Sequence, residues 1–269
     1  MPGRREFGGD GGGALKPVNT AERFSGRVES YRQHRPRYPD AVVDLLETEC
    51  GLNENSTVAD IAAGTGLLAE KFLSYGYEVV AIEPNDEMRL VCETLGDRFS
   101  RFRCLSGSAE QTGLSSHSSD LITVGQALHW FDLERARAEF VRVSRPGGWG
   151  AVIYNERRLG GDGFHDGYEK LLREFGIDYE VVQRQHLTQD RIEGFFAPSA
   201  MWRVVFPNAQ LLTLEALAGR IVSSSYMPKE EHPKYAAMQA AIQELFEKHA
   251  QAGCVRLEYD CAVYYGRLG

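Results

Sequence analysis

The sequence predicts an α/β protein built on a parallel, doubly wound sheet. Between residues 57 and 154, short apolar runs alternate with amphipathic stretches, and only crossover helices can join neighbouring strands that run in one direction. One run, Val58–Gly66, passes from a buried strand through Asp60 and two glycines into a helix. The next apolar run, Glu78–Ile82, is followed by a second acid, Glu83. Because such sheets bind ligands at the carboxyl ends of their strands, the two acids predict a binding crevice there.

The N-terminal region is predicted to form a disordered tail followed by a helical lid. Residues 1–16 contain six glycines and little apolar content, so we expect them to be disordered. Residues 17–50 are expected to form the lid, with order beginning near Asn19-Thr20. A first helix presents one apolar face, formed by Phe24, Val28 and Tyr31. Two prolines then break the chain, and Asp40 is expected to cap a second helix, Ala41–Cys50.

The central region, residues 51–155, is predicted to carry the cofactor-binding core. Its five strands are predicted at Thr57–Ile61, Glu78–Glu83, Arg101–Ser106, Asp120–Gly125 and Trp149–Tyr154. Its helices are predicted at Leu67–Tyr75, Asp86–Leu95 and Leu133–Val143. The run Arg145-Pro146-Gly147-Gly148 predicts a turn before the fifth strand, because proline and glycine favour turns.

The remaining region, residues 156–269, is expected to supply acceptor-side helices and closing strands within the same domain, which spans 17–269. Residues 155–200 are predicted to form helices and loops, and alternation at Trp202, Val204 and Phe206 predicts a sixth strand. Two further helices, Leu211–Val222 and Pro233–His249, precede a long alternating strand from Val255 to Tyr265.

Charge and composition argue against nucleic-acid, membrane and metal partners. A net charge of −8 argues against nucleic acid, which normally requires a basic face. No apolar run approaches the ~20 residues that span a bilayer, and no secretory signal follows Arg4 and Arg5, so no membrane partner is expected. The five scattered cysteines have neither CxxC nor zinc spacing, which favours reduced thiols in a cytoplasmic protein without a metal site.

Four groups of residues follow the ends of the first four predicted strands. They are Asp60 with Gly64-Thr65-Gly66, Glu83 with Pro84, Asn85 and Met88, then Gly107–Glu110, and finally Gly125–Phe131. The glycine turn alone is a weak signal, and with Ala69 it even satisfies a dinucleotide pattern. A carboxylate at Glu83 suits ribose hydroxyls, although acids also end strands simply to meet solvent. In this order and spacing, the four groups indicate a pocket for a nucleoside-bearing cofactor.

These motifs resemble those of class I S-adenosylmethionine-dependent methyltransferases. The similarity favours the small-molecule branch, methyltransferase type 11, with its trans-aconitate methyltransferase-like proteins and ubiquinone/menaquinone C-methyltransferases. The stretch Asp60–Gly66 resembles the family's first motif, and Glu83 its ribose-binding acid. The stretch Ser108-Ala109-Glu110 is similar to the adenine-side motif, although an aspartate usually stands where Ser108 does. Asp120–Phe131 resembles the fourth-strand motif.

The resemblance covers roughly residues 20–155 and includes the lid segment. Ala62 stands where the general pattern has glycine, but alanine is small enough for the turn to survive. The family fold is a Rossmann-like, seven-stranded sheet with the last strand antiparallel, helices on both faces and an N-terminal helical lid. The resemblance therefore implies S-adenosylmethionine as cofactor, S-adenosylhomocysteine as product and a small-molecule acceptor.

The resemblance also implies which residues bind the cofactor. They are Tyr31, Arg35, Asp60, Ala62, Gly64, Thr65, Gly66, Glu83, Pro84, Met88, Ser108, Ala109, Glu110, Gln126 and Ala127. Asp60 would face the ammonium, and the N–H groups of Gly64–Gly66 would face the carboxylate. Glu83 would accept the ribose hydroxyls.

The adenine would lie between Met88 and Ala109, and Ser108 or Glu110 would bond its edge. Backbone groups of Gln126 and Ala127 would meet the methionine moiety. Three alternatives stay open: Met88 as ordinary helix core, Glu110 as a turn cap and Arg35 as a surface ion-pair partner.

His129 is the candidate general base, since it follows the fourth strand beside the expected methyl group. A base is needed only for a neutral hydroxyl, amine or carbon acid, and a structural histidine explains the residue equally well. Trp130 and Phe131 are expected to form an apolar wall. The acceptor side has no motif, and its candidates are Tyr154, Arg157, Trp202, Ser225-Tyr226-Met227 and Tyr265.

Two other functions fit parts of the sequence. A nicotinamide-dependent oxidoreductase would use the glycine pattern, but Asp60 interrupts the expected strand and no second catalytic domain is evident. A non-catalytic cofactor-binding domain would use the same fold, because fold does not determine function. The sequence indicates neither the acceptor atom nor the oligomeric state.

Overall fold

The computed structural model describes residues 28–161, 163–185 and 188–269. The predicted tail, the cap at Asn19-Thr20 and the side chain of Phe24 lie outside these residues. No helix in the described ranges is both long enough and apolar enough to cross a membrane.

The described residues form one seven-stranded sheet. Its strands are β1 (Thr57–Ile61), β2 (Glu78–Ile82), β3 (Phe102–Leu105), β4 (Ser119–Gly125), β5 (Ser144–Arg157), β6 (Met201–Leu212) and β7 (Val255–Arg267). Their spatial order is β3-β2-β1-β4-β5-β7-β6. The first five are parallel, and β7 runs antiparallel between β5 and β6. This confirms the predicted doubly wound, Rossmann-like sheet with an antiparallel last strand.

Helices cover both faces of the sheet. They are α1 (Val28–His34), α2 (Ala41–Cys50), α3 (Leu67–Ser74), α4 (Asp86–Glu93), α5 (Leu133–Val143), α6 (Gly163–Phe175), α7 (Tyr179–Gln185), α8 (Gln189–Phe196), α9 (Leu214–Val222) and α10 (Tyr235–His249). Short 3-10 turns follow at Thr94–Asp97 and Leu128–Trp130. Asp40 stands before α2, but its side chain makes no capping bond and pairs with Lys71 instead. The predicted cap is therefore wrong.

A core lies on each face of the sheet, because successive side chains of a strand point to opposite sides. In β1, Val58 belongs to the core beneath α2 and α3, and Ala59 to the core beneath α5 and α8. A third apolar cluster holds α6, α9 and α10 against the ends of β6 and β7. The two sheet cores fix the strand ends on which the candidate site is built.

The predicted turn at Arg145–Gly148 is a bulge inside β5. Ser144 pairs with Ser119 and Trp149 with Leu121, so the whole turn stands opposite a single residue of β4. Gly147 adopts a φ of 75°, which glycine tolerates without steric cost. The strand therefore begins five residues earlier than its apolar pattern predicts.

Strand β6 is longer than predicted and displaces the start of the next helix. Its pairing with β7 continues past Phe206 to Leu212, through Pro207 and Asn208, which break the local alternation. Helix α9 then begins at Leu214, where the Thr213 side chain accepts a hydrogen bond from the Ala216 N–H at 3.3 Å. Backbone pairing with a long neighbour overrides the local pattern here.

Candidate active site

A crevice opens where the strand order reverses, at the carboxyl ends of β1, β2 and β4. Open α/β sheets bind ligands at such a point, because the connections on its two sides leave in opposite directions. The crevice encloses about 150 Å³. A recess of about 30 Å³ adjoins it, since Tyr31, Ala62, Gly64 and Gly125 line both. The residues lining the crevice are Tyr31, Ala62, Gly64, Glu83, Pro84, Asn85, Met88, Ser108, Ala109, Glu110, Gly125, Gln126, Ala127, Trp130 and Phe131.

Asp60 lies at the end of β1 and lines the recess. Its carboxyl group is fully buried, and Oδ1 accepts a hydrogen bond from Thr123 Oγ1 at 2.9 Å. Oδ2 has no donor in normal hydrogen-bond geometry among the described residues, although the backbone N–H of Ala69 lies near the carboxyl group and opposes the rise in its pKa. Burial raises the pKa of Asp60 to about 7, and the negative charge of Glu83 acts in the same direction. A buried acceptor without a donor is unfavourable, so the recess suits a small cationic donor such as an ammonium group.

Glu83 follows β2 and lies within the crevice, with 6% of its surface exposed. Oε2 accepts the N–H of Gly64 at 2.7 Å, and Oε1 accepts that of Asn85 at 2.8 Å. Burial raises the pKa of Glu83, and these two donors oppose that shift. A carboxylate can accept about four hydrogen bonds, so Glu83 keeps capacity for two ligand hydroxyls.

The glycine turn is closed by its own hydrogen bonds. The Gly64 N–H donates to Glu83, and the Gly66 N–H donates to the carbonyl of Ala63 at 2.9 Å. The Gly64 and Gly66 N–H groups therefore already have acceptors within the protein, and the role of the Gly64–Gly66 N–H groups toward a ligand carboxylate stays a prediction. A Cβ on Gly66 would lie 2.9 Å from Cys92 Sγ and closer still to Leu95, so Gly66 lets α3 pack against α4. Thr65 is buried, and its hydroxyl has no partner within the described part of the chain.

Two lining residues other than glycine adopt left-handed backbone. Ala62 has a φ of 55° and Gln126 a φ of 61°. Ala62 occupies the position where the family pattern has glycine, and the observed φ gives the physical reason for that preference. The Gln126 N–H donates to the Ile153 carbonyl at 2.9 Å, which fixes this loop on β5.

The predicted adenine side is assembled on the far side of Glu83. Met88 is buried in the first turn of α4, which Asn85 caps by accepting the Met88 N–H at 2.9 Å. Ala109 is also buried and lines the same crevice. Glu110 does not cap its own turn, because its Oε1 accepts the N–H of Asp132 at 3.0 Å.

The lid segment places one predicted residue in the site and one behind it. Tyr31 lines both the crevice and the recess. Arg35 does not line either, since its guanidinium lies over the Tyr31 ring, 4.7 Å from the centroid, and donates to the Ser223 carbonyl at 3.0 Å. Its interpretation as a surface ion-pair partner is therefore wrong.

His129 lies beside the crevice but is not among the residues that line it. Its Nδ1 is 3.3 Å from the hydroxyl of Tyr154, and its ring packs against Trp130 at a centroid distance of 4.5 Å. Burial raises the pKa of Tyr154, so that hydroxyl stays protonated at neutral pH. The general-base role of His129 stays a prediction.

Sequence reasoning missed the residues that close the recess. Tyr38 is buried, and a Cβ on Gly125 would collide with its hydroxyl, so Gly125 lets the lid segment reach the end of β4. Thr123 holds Asp60 from the neighbouring strand. No local pattern marks these contacts, because each joins residues that are distant in the chain.

Two acceptor-side candidates lie at the wrong edge of the sheet. Tyr265 pairs with Ala151 and Trp202, whereas the carboxyl end of β5 is Arg157. Six residues of strand separate the two positions along β5, a distance of about 20 Å. Trp202 and Tyr265 instead stack on each other beside Trp149. Within the ranges described, no group of three His, Cys, Asp or Glu side chains is placed to hold a metal ion.

The comparisons with known proteins agree on a methyltransferase. The methyltransferase domain family matches residues 59–152. An uncharacterized methyltransferase of Mycobacterium tuberculosis is 37% identical over 206 residues, which is 76% of each chain. An uncharacterized methyltransferase of Schizosaccharomyces pombe is 35% identical over 135 residues, which covers 50% of this chain and about half, 53%, of that relative. Among solved structures, a candidate type II methyltransferase from Anaeromyxobacter dehalogenans has the same fold, with a TM-score of 0.63 and 22% identity over 87% of this chain and 98% of that one.

Proposed function

The chain belongs to the methyltransferase family, and we propose that it transfers a methyl group from S-adenosylmethionine to a small-molecule acceptor. The unpartnered carboxylate oxygen of Asp60 carries this proposal, because it lies in a recess that adjoins the crevice of Glu83. The cofactor has an ammonium group at one end and a ribose with two hydroxyls near the other. Asp60 therefore matches the ammonium group, and Glu83 matches the two ribose hydroxyls.

The residues of the crevice would hold the cofactor along its length. Asp60 would pair with the ammonium, and Glu83 would accept the ribose hydroxyls. Met88 and Ala109 would flank the adenine, since both are buried and line the part of the crevice beyond Glu83. Pro84 and Ser108 complete that wall.

When bound, the sulfonium of the cofactor supplies a methyl group and leaves as a neutral thioether. No acid is needed for that leaving group, so the protein acts mainly by aligning the acceptor. Such alignment can lower a barrier by about 7–11 kcal/mol. Trp130 and Phe131 line the crevice and present apolar surface to it.

The closed glycine turn counts against the nicotinamide-dependent alternative. A dinucleotide pyrophosphate binds to free N–H groups at the start of the first helix. Here the Gly64 and Gly66 N–H groups already donate to Glu83 and Ala63. A non-catalytic domain on the same fold would bind the cofactor equally well, and only turnover distinguishes it.

Calorimetric titration with S-adenosylhomocysteine tests the cofactor site. Glu83→Gln removes the charge while keeping the side-chain shape, and the loss of charge-assisted hydrogen bonds is worth about 1.5–3 kcal/mol. We expect its affinity to fall by roughly 10- to 100-fold. Glu78→Gln, at the exposed start of the same strand, is the matched control and should bind normally.

Two results would contradict the proposal. The wild-type protein would show no binding at millimolar S-adenosylhomocysteine, or reduced nicotinamide cofactor would bind in its place. If the cofactor binds tightly and no acceptor in a broad panel is methylated, the non-catalytic alternative is favoured.

A further inference from the structure

Three arginine side chains come together behind Tyr31, at the same edge of the sheet as the crevice. Arg35 follows α1, Arg157 ends β5 and Arg220 lies in α9, and we call these three the arginine cluster. Arg35 and Arg220 donate to neighbouring residues at the end of α9, Arg35 to the Ser223 carbonyl at 3.0 Å and Arg220 to Ser224 Oγ at 3.2 Å. The Arg157 guanidinium lies 5.1 Å from the centroid of the Tyr168 ring, and the charges of all three arginines also act on that tyrosine. Elements far apart in the chain therefore bring three cations to one place.

Arg220 is buried, Arg35 and Arg157 are half-buried, and the protein itself satisfies the hydrogen-bonding groups of the cluster only in part. Arg220 is 5% exposed, and its guanidinium donates to the Tyr259 hydroxyl and to Ser224 Oγ, each at 3.2 Å. Arg35 donates to the Ser223 carbonyl, but its Nε is buried without a hydrogen-bond partner among the described residues. Burial and the charge of Arg220 lower the pKa of Arg35.

Negative charge in the cluster is too small to balance the three cations. Glu169 lies 3.2 Å from Arg157 and also pairs with Arg173. Within the described part of the chain, no carboxylate lies within ion-pair distance of Arg35 or Arg220. Buried cations are unfavourable unless they are paired, so this arrangement favours an anion from outside the protein.

We propose that the arginine cluster binds an oxyanion of the methyl acceptor, either a carboxylate or a phosphate. Guanidinium groups match both oxyanions, because their fork of N–H donors can form two parallel hydrogen bonds. Tyr31 lies between the cluster and the crevice, because the Arg35 guanidinium stacks on its ring and the same residue lines the crevice. This inference rests on the proposed methyltransferase function.

A purely structural role would also explain part of the cluster. Ser223 is the C-cap of α9, and a cation at a helix C-terminus is stabilising. Arg35 would then only tie α1 to α9. The two explanations differ in what they predict for anion binding.

The test compares anionic probes with their neutral isosteres at constant ionic strength. Benzoate and succinate are titrated against benzamide and succinamide, and phenyl phosphate forms the phosphate arm. The protein is saturated with S-adenosylhomocysteine, whose own binding is measured first. The variants are Arg220→Met, which keeps the length of the side chain, and Arg158→Met, the exposed neighbour of Arg157, as control.

We expect saturable binding of an anionic probe and at least about tenfold weaker binding by Arg220→Met, with Arg158→Met unchanged. A carboxylate preference or a phosphate preference identifies the oxyanion. If Arg220→Met does not fold, Arg35→Met is measured in its place with the same expectation.

Equal binding of anions and neutral isosteres would overturn this inference, as would equal losses in both variants. If S-adenosylhomocysteine binds while no anion does, only this inference fails. If S-adenosylhomocysteine itself does not bind, the proposed function fails.

Discussion

The Asp60 carboxyl group is poised between its two protonation states near neutral pH. Burial raises its pKa to about 7, and only Thr123 donates to it from a side chain. The native state therefore holds a proton that the unfolded chain releases near pH 4. The contribution of Asp60 to stability accordingly falls as the pH rises from about 4 to about 7.

A cationic ligand in the recess should reverse this shift. Ion pairing favours the charged carboxylate, so S-adenosylhomocysteine should release a proton on binding, and its affinity should rise as the pH rises through about 7. Calorimetry in two buffers of different ionisation enthalpy measures the proton release near pH 6.5. Asp60→Asn should remove it, and an unchanged release in that variant would rule out pairing with Asp60.

Ala62, which lines the crevice, adopts a strained backbone conformation. Its φ of 55° costs an L-residue roughly 1 kcal/mol. Ala62→Gly relieves that strain, whereas Ala63→Gly has no such strain to relieve. We expect Ala62→Gly to be about 1 kcal/mol more stable than Ala63→Gly in urea unfolding, and equal stabilities would count against this explanation.

At the scale of elements, the site depends on how α1 rests against α9. Ser30 Oγ donates to the Gly219 carbonyl at 3.0 Å, and a Cβ on Gly219 would overlap the His34 ring. The close approach places Tyr31, on the same helix, over the crevice. Contact between these two helices thus helps to position one wall of the crevice.

Gly219→Ala should move α1 and weaken cofactor binding. We expect lower affinity for S-adenosylhomocysteine together with lower stability, because the new methyl group and His34 cannot occupy the same space. Gly194→Ala is the control, since its Cβ would meet nothing within 4 Å. That variant should gain up to about 1 kcal/mol from helix propensity and bind normally. Unchanged binding in Gly219→Ala would contradict the inference that the contact between α1 and α9 positions this wall of the crevice.

At the scale of the whole molecule, the sheet separates two apolar cores. The crevice lies at the carboxyl ends of its central strands. The ends of β1, β2 and β4 meet there because the strand order reverses between β1 and β4. A ligand in the crevice contacts several elements at once. Its binding energy therefore stabilises the fold as a whole.

Saturation with S-adenosylhomocysteine should raise the melting temperature. A ligand at 100 times its Kd adds about 2.7 kcal/mol, which corresponds to roughly 5–10 °C for a chain of this size. Thermal unfolding followed by circular dichroism measures the shift. Glu83→Gln should show a smaller shift at the same ligand concentration, and an equal shift would place the ligand elsewhere.

Local chemistry was sufficient to predict most elements of the half of the sheet that carries the crevice. Strand β1 was predicted to the residue, and α3, β2 and α4 to within one or two, because apolar runs, glycines and caps act over a few neighbouring positions. The same motifs identified Asp60, Glu83 and most of the crevice lining. Ordered turns between strands and helices are properties of short segments, so they can be predicted from sequence.

Only the tertiary structure showed which polar groups form hydrogen bonds within the protein and which can bind a ligand. It showed that the Gly64 N–H serves Glu83, that β6 continues along β7, and that Tyr265 faces the other edge of the sheet. It also placed Arg35 and Arg220 on neighbouring residues at the end of α9, and Arg157 against the ring of Tyr168. The sequence by itself predicted which strand ends and which two acids form the crevice, because that signal is local. The surroundings of the acceptor depend on contacts between segments far apart in the chain, and only folding makes those contacts.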